Sequence, residues 1–529
     1  MQEVGSCRLE YSVMEAFRLR SKHLREVFTS VGMRRLDLAQ SNRLATNDTQ
    51  CQAGQKRIRI LQLPEVRVPR ARSVQSQHVQ GPWIGWLVLA TLASAFCGAF
   101  NPKAHASQQA QGEAWPDPLV LQNGAVVRSR AEFEQQRRGE LLHLFEENIY
   151  GRTPSTSLPV SVLRTEIDEH ALHGLARRKQ ITLAVGPHGE RIWHLLQYMP
   201  THAHASVPVI IGLNFDGNQS VDSDPGIDLN PIWVLDPALK NVPLAKELAT
   251  HVQRTADAST RGSAASQWQV EKIVERGYGL ATIYAGDIEP DFNGGIGYGI
   301  RPLFFSNTQR LPMADDWGAI GAWAWGMSRV IDVLSNDPSV DKNRLIAFGF
   351  SRFGKTALWA AAQDQRFALV ISNESGQAGA TLSHRKQGEP IDHLMLAFPY
   401  WFCANYQHYL GHAEDLPVDG HLLLALIAPR PLYIGSAIAD PFSDPEGEFL
   451  AAKAVSSVYA LYGQTGITDA AMPALEHPVG GTVMYHVRPG GHDVTAYDWE
   501  QYLDFIDRQL KRDTMGRNHE TTGSGFVAR

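Results

Sequence analysis

Residues 349–356 read GFSRFGKT, and two chemistries fit those eight letters. As G-x-x-x-x-G-K-[ST], they form a phosphate-binding loop with Lys355 and Thr356 in the nucleotide roles. As a strand-to-helix turn, they present Ser351 as the nucleophile of a hydrolase. The residues that follow other apolar runs decide between them. Glu374 follows ALVISN, Asp440 follows PLYIGSAIA, and His492 stands in GGHD after VMYHVRP. A neutral hydroxyl is a poor nucleophile, so a histidine must take its proton and later return it to the leaving group. A buried carboxylate holds that imidazole in the right tautomer and stabilises the imidazolium. Serine, then acid, then histidine is the α/β-hydrolase chain order.

Each residue has a duller reading alone: a serine in a turn, a histidine in a surface loop, an aspartate opening a turn before Pro441. Their joint placement at successive strand ends carries the argument. The phosphate-loop reading needs a magnesium-binding carboxylate at a neighbouring strand end. Glu374 comes late after its strand, Asp440 follows a run broken by Gly and Ser, and His492 is left without a role. The turn departs from G-x-S-x-G in one place: Phe353 occupies the second glycine position, and the glycine comes one residue later, at Gly354.

The elements that must position these residues alternate along the chain. QITLAVGP and RIWHLLQYMP, joined by HGE, predict a hairpin. VPVIIGLNF, YGLATIYAGD, RLIAFGF, ALVISNES, PLYIGSAIAD and VMYHVRPG are short apolar runs of the buried parallel type. Between them lie helical patterns in QWQVEKIVERG, WGAIGAWAWGMSRVIDVLS, GKTALWAAAQ, GEFLAAKAVSSVYALYG and DWEQYLDFIDRQLKR. The expectation is an α/β-hydrolase three-layer sandwich, a mostly parallel sheet with helices on both faces. Reactive groups gather at the carboxyl ends of such strands. The glycine-rich IEPDFNGGIGYGIRPLFFSN is the best candidate for a loop closing over them.

Charge and apolar patterning bound the rest. The 529 residues carry a net charge of −6, yet residues 1–80 hold 14 Lys/Arg against 7 Asp/Glu. The acidic remainder excludes a general nucleic-acid partner, which needs a basic surface. The apolar run WIGWLVLATLASAFCGAF, followed by Ala104 and Ala106 before Ser107, predicts an export signal over 81–106. Cleavage there leaves no stable membrane association and a secreted or periplasmic product. The organisation expected is a leader over 1–80, disordered or an early-assigned start, the signal over 81–106, one catalytic domain over 107–515 and a flexible tail over 516–529. Cys7, Cys51 and Cys97 precede the cleavage point, so Cys403 is left as a buried small hydrophobe. No His/Cys/carboxylate cluster has ligand spacing, so no metal is expected.

The pattern G-x-S-R-x-G-K, with Arg352 and Lys355 around the turn, resembles the glucuronoyl esterases, carbohydrate esterase family 15. ISNESGQAGA, SHRKQGEPI, FPYWFC, LPVDGHLLLALIAPRPLYI, DPFSDPEGEFLAA and PGGHD look like that family's segments in order. The resemblance runs from NIYGRTP to the last helix. It implies cleavage of the ester between 4-O-methyl-glucuronic acid on xylan and alcohols of lignin; no cofactor is expected, and the protein is expected to be a monomer. It further implies Ser351 as nucleophile, His492 as base and then acid, Arg352 as oxyanion stabiliser, and Lys355 and Glu389 as ligands of sugar hydroxyls. Either carboxylate could orient His492; Asp440 is taken as the main acid and Glu374 as its support. Phe442 stands where a family tryptophan is expected beside the sugar, keeping an apolar face without the indole N–H. The rival readings are an acetyl- or feruloyl-xylan esterase of the same fold and a noncatalytic carbohydrate-binding protein.

Overall fold

The structure is a computed structural model that describes residues 115–236, 251–306 and 308–520. The leader and export signal expected over 1–106 lie outside the described residues. In chain order the strands are β1 (Val160–Ala171), β2 (Ala176–Val185), β3 (Arg191–Pro200), β4 (Val207–Asn214), β5 (Pro231–Leu235) and β6 (His251–Thr255). They continue as β7 (Gly279–Tyr284), β8 (Val340–Phe350), β9 (Phe367–Asn373), β10 (Leu432–Ala437), β11 (Val479–Gly480) and β12 (Val483–Arg488). Ten strands form one sheet in the order β1-β2-β3-β7-β4-β8-β9-β10-β12-β11, and β5 pairs with β6 apart from it. β7, β4, β8, β9, β10 and β12 run parallel to one another. The antiparallel β1–β2–β3 meander joins at β7, and β11 closes the far edge against β12.

The parallel strands read as unbroken apolar runs because both of their faces are covered. Alternate residues on β8 enter different cores: Leu345 and Ala347 one, Ile346 and Phe348 the other. On the first face lie α1 (Arg138–Phe145), α3 (Ala319–Leu334), α4 (Arg352–Gln363) and α5 (Pro445–Ala454). On the second lie α2 (Val270–Glu275) and α6 (Ala496–Glu520). This is the three-layer sandwich expected.

The differences are local. The expected helix over 267–277 is split at Gln269, whose φ of +45° interrupts it. The helix expected over 447–463 breaks into α5 and a shorter turn at Ser456–Ala460. β1 has no counterpart in the sequence reading, because most of its residues face solvent and show no apolar alternation. α6 runs on to Glu520, past the expected boundary at 515. Among the described residues no helix is long and apolar enough to cross a membrane.

Register brings the strand ends level. Phe350 of β8 stands opposite Asn373 of β9, and Asn373 opposite Gly435 of β10, which in turn faces His486 of β12. The residues that follow these strands therefore emerge at one edge of the sheet.

Candidate active site

Ser351 occupies the turn between β8 and α4 with φ +57° and ψ −128°, a conformation that L-residues rarely adopt. Such local strain is held only where the surroundings over-determine it. Here the Ser351 N–H donates to Asn373 O at 2.9 Å, and the Gly354 N–H closes back on Ser351 O at 2.9 Å. A Cβ on Gly349 would lie 1.8 Å from Phe353 O, so the chain can fold back over that residue only as glycine. The displaced second glycine is explained as well. A Cβ on Gly354 would meet Ser375 Cβ at 2.9 Å and Ser372 Oγ at 3.1 Å, so Gly354 lets α4 approach the end of β9. Phe353 instead points into the core, its ring centre 4.3 Å from that of Phe215 with the planes tilted by 34°, and edge-on to Trp323.

His492 lies beside the turn, its ring 4.6 Å from that of Phe350. Its Nδ1 is 2.7 Å from Asp440 Oδ2 and 3.1 Å from Glu374 Oε2. Ionised carboxylates only accept, so Nδ1 carries a proton, and Nε2 is left with a lone pair when the ring is neutral. Asp440 is buried and also accepts from Ser443 Oγ and the Phe442 and Ser443 N–H groups. Burial pushes its pKa up, but the bonds from His492 and Ser443 outweigh this and hold it at about 2. Glu374, also buried, adopts φ +48° and accepts from Arg488 Nη2 at 2.6 Å and the Asp493 N–H at 3.1 Å. Burial raises it to about 7 against the pull of His492 and Arg488. For His492 itself, 40% of whose side chain is exposed, partial desolvation opposes the charge, yet its hydrogen bonds to Asp440 and Glu374 prevail and raise it to about 9.

Arg488 is a site residue the sequence reading passed over. It donates to Asp498 Oδ2 at 2.7 Å and to the carbonyls of Gly491 and Asp493, on either side of His492. The only sequence signal was its place in HVRPGGHD, at the end of the last parallel strand.

Arg352 opens α4. Its guanidinium carbon lies 5.0 Å from the Phe215 ring centre and 4.9 Å from that of Trp401, and Nη1 is 3.3 Å from Asp291 Oδ2. Lys355 is not a solvated lysine on the first helical turn: only 4% of it is exposed, and Nζ donates to Ser375 O at 2.5 Å. Burial lowers its pKa to about 8, with Glu389 the chief opposing influence. Glu389 is hydrogen-bonded to His393 Nδ1 at 2.6 Å, and its N–H donates to Phe442 O at 2.9 Å. Phe442 is 40% exposed, with its ring 6.3 Å from that of His393. That backbone hydrogen bond joins Glu389 and Phe442, two of the three expected sugar-facing residues.

The expectation about metal ligands needs one adjustment. Sequence spacing shows no cluster, yet the fold brings one ligand atom each of Glu374, Asp440 and His492 within 4.8 Å of one another. Arg488 beside Glu374 supplies the positive charge there, and the His492 nitrogen facing the carboxylates bears a proton. The donor set is that of a hydrogen-bonded triad.

The glycine-rich segment expected to be mobile is tied at its base. Arg301 Nε donates to Glu289 Oε1 at 2.8 Å, and Trp323 Nε1 to Glu289 O at 2.8 Å, both in the interior. The Cys403 thiol is buried, as expected of a small hydrophobe.

The chain and its fold are similar to those of known proteins. A family model described as "Glucuronyl esterase, fungi" matches residues 311–463. "Carbohydrate esterase MZ0003", from an unknown prokaryotic organism, is 41% identical over 75% of this chain and 89% of its own. The solved glucuronoyl esterase from Solibacter usitatus superposes with a TM-score of 0.70 at 44% identity, covering 75% of this chain and 98% of that one. A promiscuous CE15 esterase from a marine bacterial metagenome gives a TM-score of 0.68 at 40% identity, covering 76% and 98%.

Proposed function

The chain belongs to the glucuronoyl esterases of carbohydrate esterase family 15, and from that membership we propose that it hydrolyses the ester between a (4-O-methyl-)glucuronic acid on xylan and a lignin alcohol. The observation that carries the reading is His492 Nδ1 committed to two carboxylates beside a strained serine turn that also bears Arg352 and Lys355. Binding alone needs no such nucleophile–base pair.

In this mechanism His492 Nε2 takes the Ser351 Oγ proton as the oxygen attacks the uronoyl carbonyl carbon. Negative charge develops on the carbonyl oxygen, where the Arg352 guanidinium and its backbone N–H stabilise it. The tetrahedral species collapses to an acyl-enzyme on Ser351, and His492 returns the proton to the departing alcohol. Water then repeats the sequence and frees the uronic acid. Lys355, Glu389 and Phe442 form the sugar side of the site, and no step calls for a metal or cofactor. The leader and signal over 1–106 and the expected export to the periplasm or medium belong to the same reading.

The test is hydrolysis of the benzyl ester of glucuronic acid, with p-nitrophenyl acetate and ATP alongside. Turnover of the uronate ester is expected, and Ser351→Ala and His492→Ala should each lower it by about 10⁴-fold or more while the far-UV spectrum is kept. Activity on acetate alone would sink the uronate assignment. Acetate serves as the second substrate because one similar structure is that of a promiscuous esterase.

A further inference from the structure

A flexible side chain is a poor oxyanion stabiliser unless it is held in place before charge develops, since otherwise the reaction itself must order it. Arginine has many rotamers, and that freedom is lost when its fork is held in one geometry. Arg352 has been relieved of that freedom from three directions. Phe215 and Trp401 flank the guanidinium, with ring centres 5.0 and 4.9 Å from its carbon. Asp291 Oδ2 meets Nη1 at 3.3 Å.

Asp291 is itself fixed in an unusual division of labour. Its Oδ1 accepts both Tyr400 OH at 2.9 Å and Trp401 Nε1 at 2.7 Å, which leaves Oδ2 for the guanidinium. Trp401 thus touches Arg352 by its face and Asp291 by its edge, closing a triangle of arginine, aspartate and indole. The backbone under Asp291 is equally set: Phe292 N–H donates to Pro290 O at 3.0 Å, and neighbouring Glu289 is buried against Arg301 at 2.7 Å. Among the described residues the buried Arg352 Nε has no hydrogen-bond partner. A guanidinium serving the fold alone would be expected to satisfy its buried N–H groups. One held for a substrate need not.

We propose that Asp291 is a positioning residue for the reaction, holding the Arg352 guanidinium between Phe215 and Trp401 where the ester's oxyanion forms. The assignment rests on the role given to Arg352 above. Asp291 touches no reacting atom and acts through Arg352, so its removal should slow the chemical step more than it weakens substrate binding.

The experiment is steady-state kinetics on benzyl glucuronate with the wild type, Asp291→Ala, Asp291→Asn, Arg352→Ala and the Asp291→Ala/Arg352→Ala pair, with melting temperatures alongside. Asp291→Asn keeps the shape of the site and turns an N–H₂ or a weaker acceptor toward the guanidinium, so it serves where the alanine variant folds poorly. Both Asp291 variants should lower kcat by about 10- to 100-fold with KM within about threefold, the pattern of a lost transition-state interaction. In the Arg352→Ala background, removal of Asp291 should change kcat by less than about twofold, because residues that act as a unit are non-additive. Equal losses in both backgrounds, or wild-type kcat in Asp291→Asn, overturn the assignment while leaving the oxyanion role intact. A wild-type rate in Arg352→Ala alone overturns that role, and the Asp291 assignment with it.

Discussion

One proton on His492 Nδ1 faces two carboxylate oxygens, and the two acids are not equivalent. Asp440 is nearer, is held at about 2, and otherwise accepts only from neutral donors on its own turn. Glu374 is farther, is raised to about 7, and gives one oxygen to Arg488. Asp440→Asn should therefore cost about 10²-fold in kcat and Glu374→Gln about tenfold or less, both short of the loss seen when a lone triad acid is removed. The double variant should lose far more than either; a Glu374→Gln enzyme slower than Asp440→Asn would reverse the choice of acid. The pH profile follows from the same contacts. His492 must be neutral to accept the serine proton, so kcat/KM should rise with pH toward about 9. Losing a carboxylate lowers the imidazole pKa, so the limb should move to lower pH in Asp440→Asn. Stability obeys linkage: the raised His492 contributes fully below an unfolded value of about 6.5, and this is lost as pH rises through about 9. The depressed Asp440 contributes above an unfolded value of about 3.9, and this is lost as pH falls through about 2. The melting-temperature gap between wild type and Asp440→Asn should accordingly be widest between about pH 4 and 6.5.

At the level of elements, the turn between β8 and α4 is where sequence reasoning was both strongest and incomplete. Gly349, Ser351 and the flanking runs announced it, because a strand buried on both faces and an amphipathic helix each have an apolar pattern that local sequence displays. The shift of the second glycine to Gly354 had no local reading; its cause is Ser372 on β9 and Ser375 just past its end, some twenty residues away. Gly354→Ala should lose about 1–3 kcal/mol through overpacking, seen as a lower urea midpoint at unchanged slope. An unchanged midpoint would show that α4 can withdraw from β9 freely. Asp291, Trp401 and Arg488 stayed invisible for the same reason: each acts through a partner far away in sequence. β1 was missed on different grounds, since a largely solvated edge strand carries little apolar alternation.

For the whole molecule, both core clusters are assembled from described residues beyond the expected cleavage point. If cleavage follows the sequence expectation, a chain beginning at Ser107 should match the full-length protein in melting temperature and kcat, and the exported protein should begin at Ser107 by N-terminal sequencing. A lower melting temperature in the shorter chain would give the leader a structural part that its composition does not suggest. The sheet order has a consequence for how the molecule is made. β4 lies between β7 and β8, strands supplied by residues about 70 and 130 positions later, and β12 joins last. Such long-range parallel pairings form slowly, after large loops have closed. Ser351, Asp440 and His492 follow β8, β10 and β12, so a chain emerging from the ribosome has its proposed nucleophile long before its proposed base. A chain still awaiting β10 and β12 therefore has no assembled centre. The strand order thus acts as a timer, delaying activity until synthesis is nearly done.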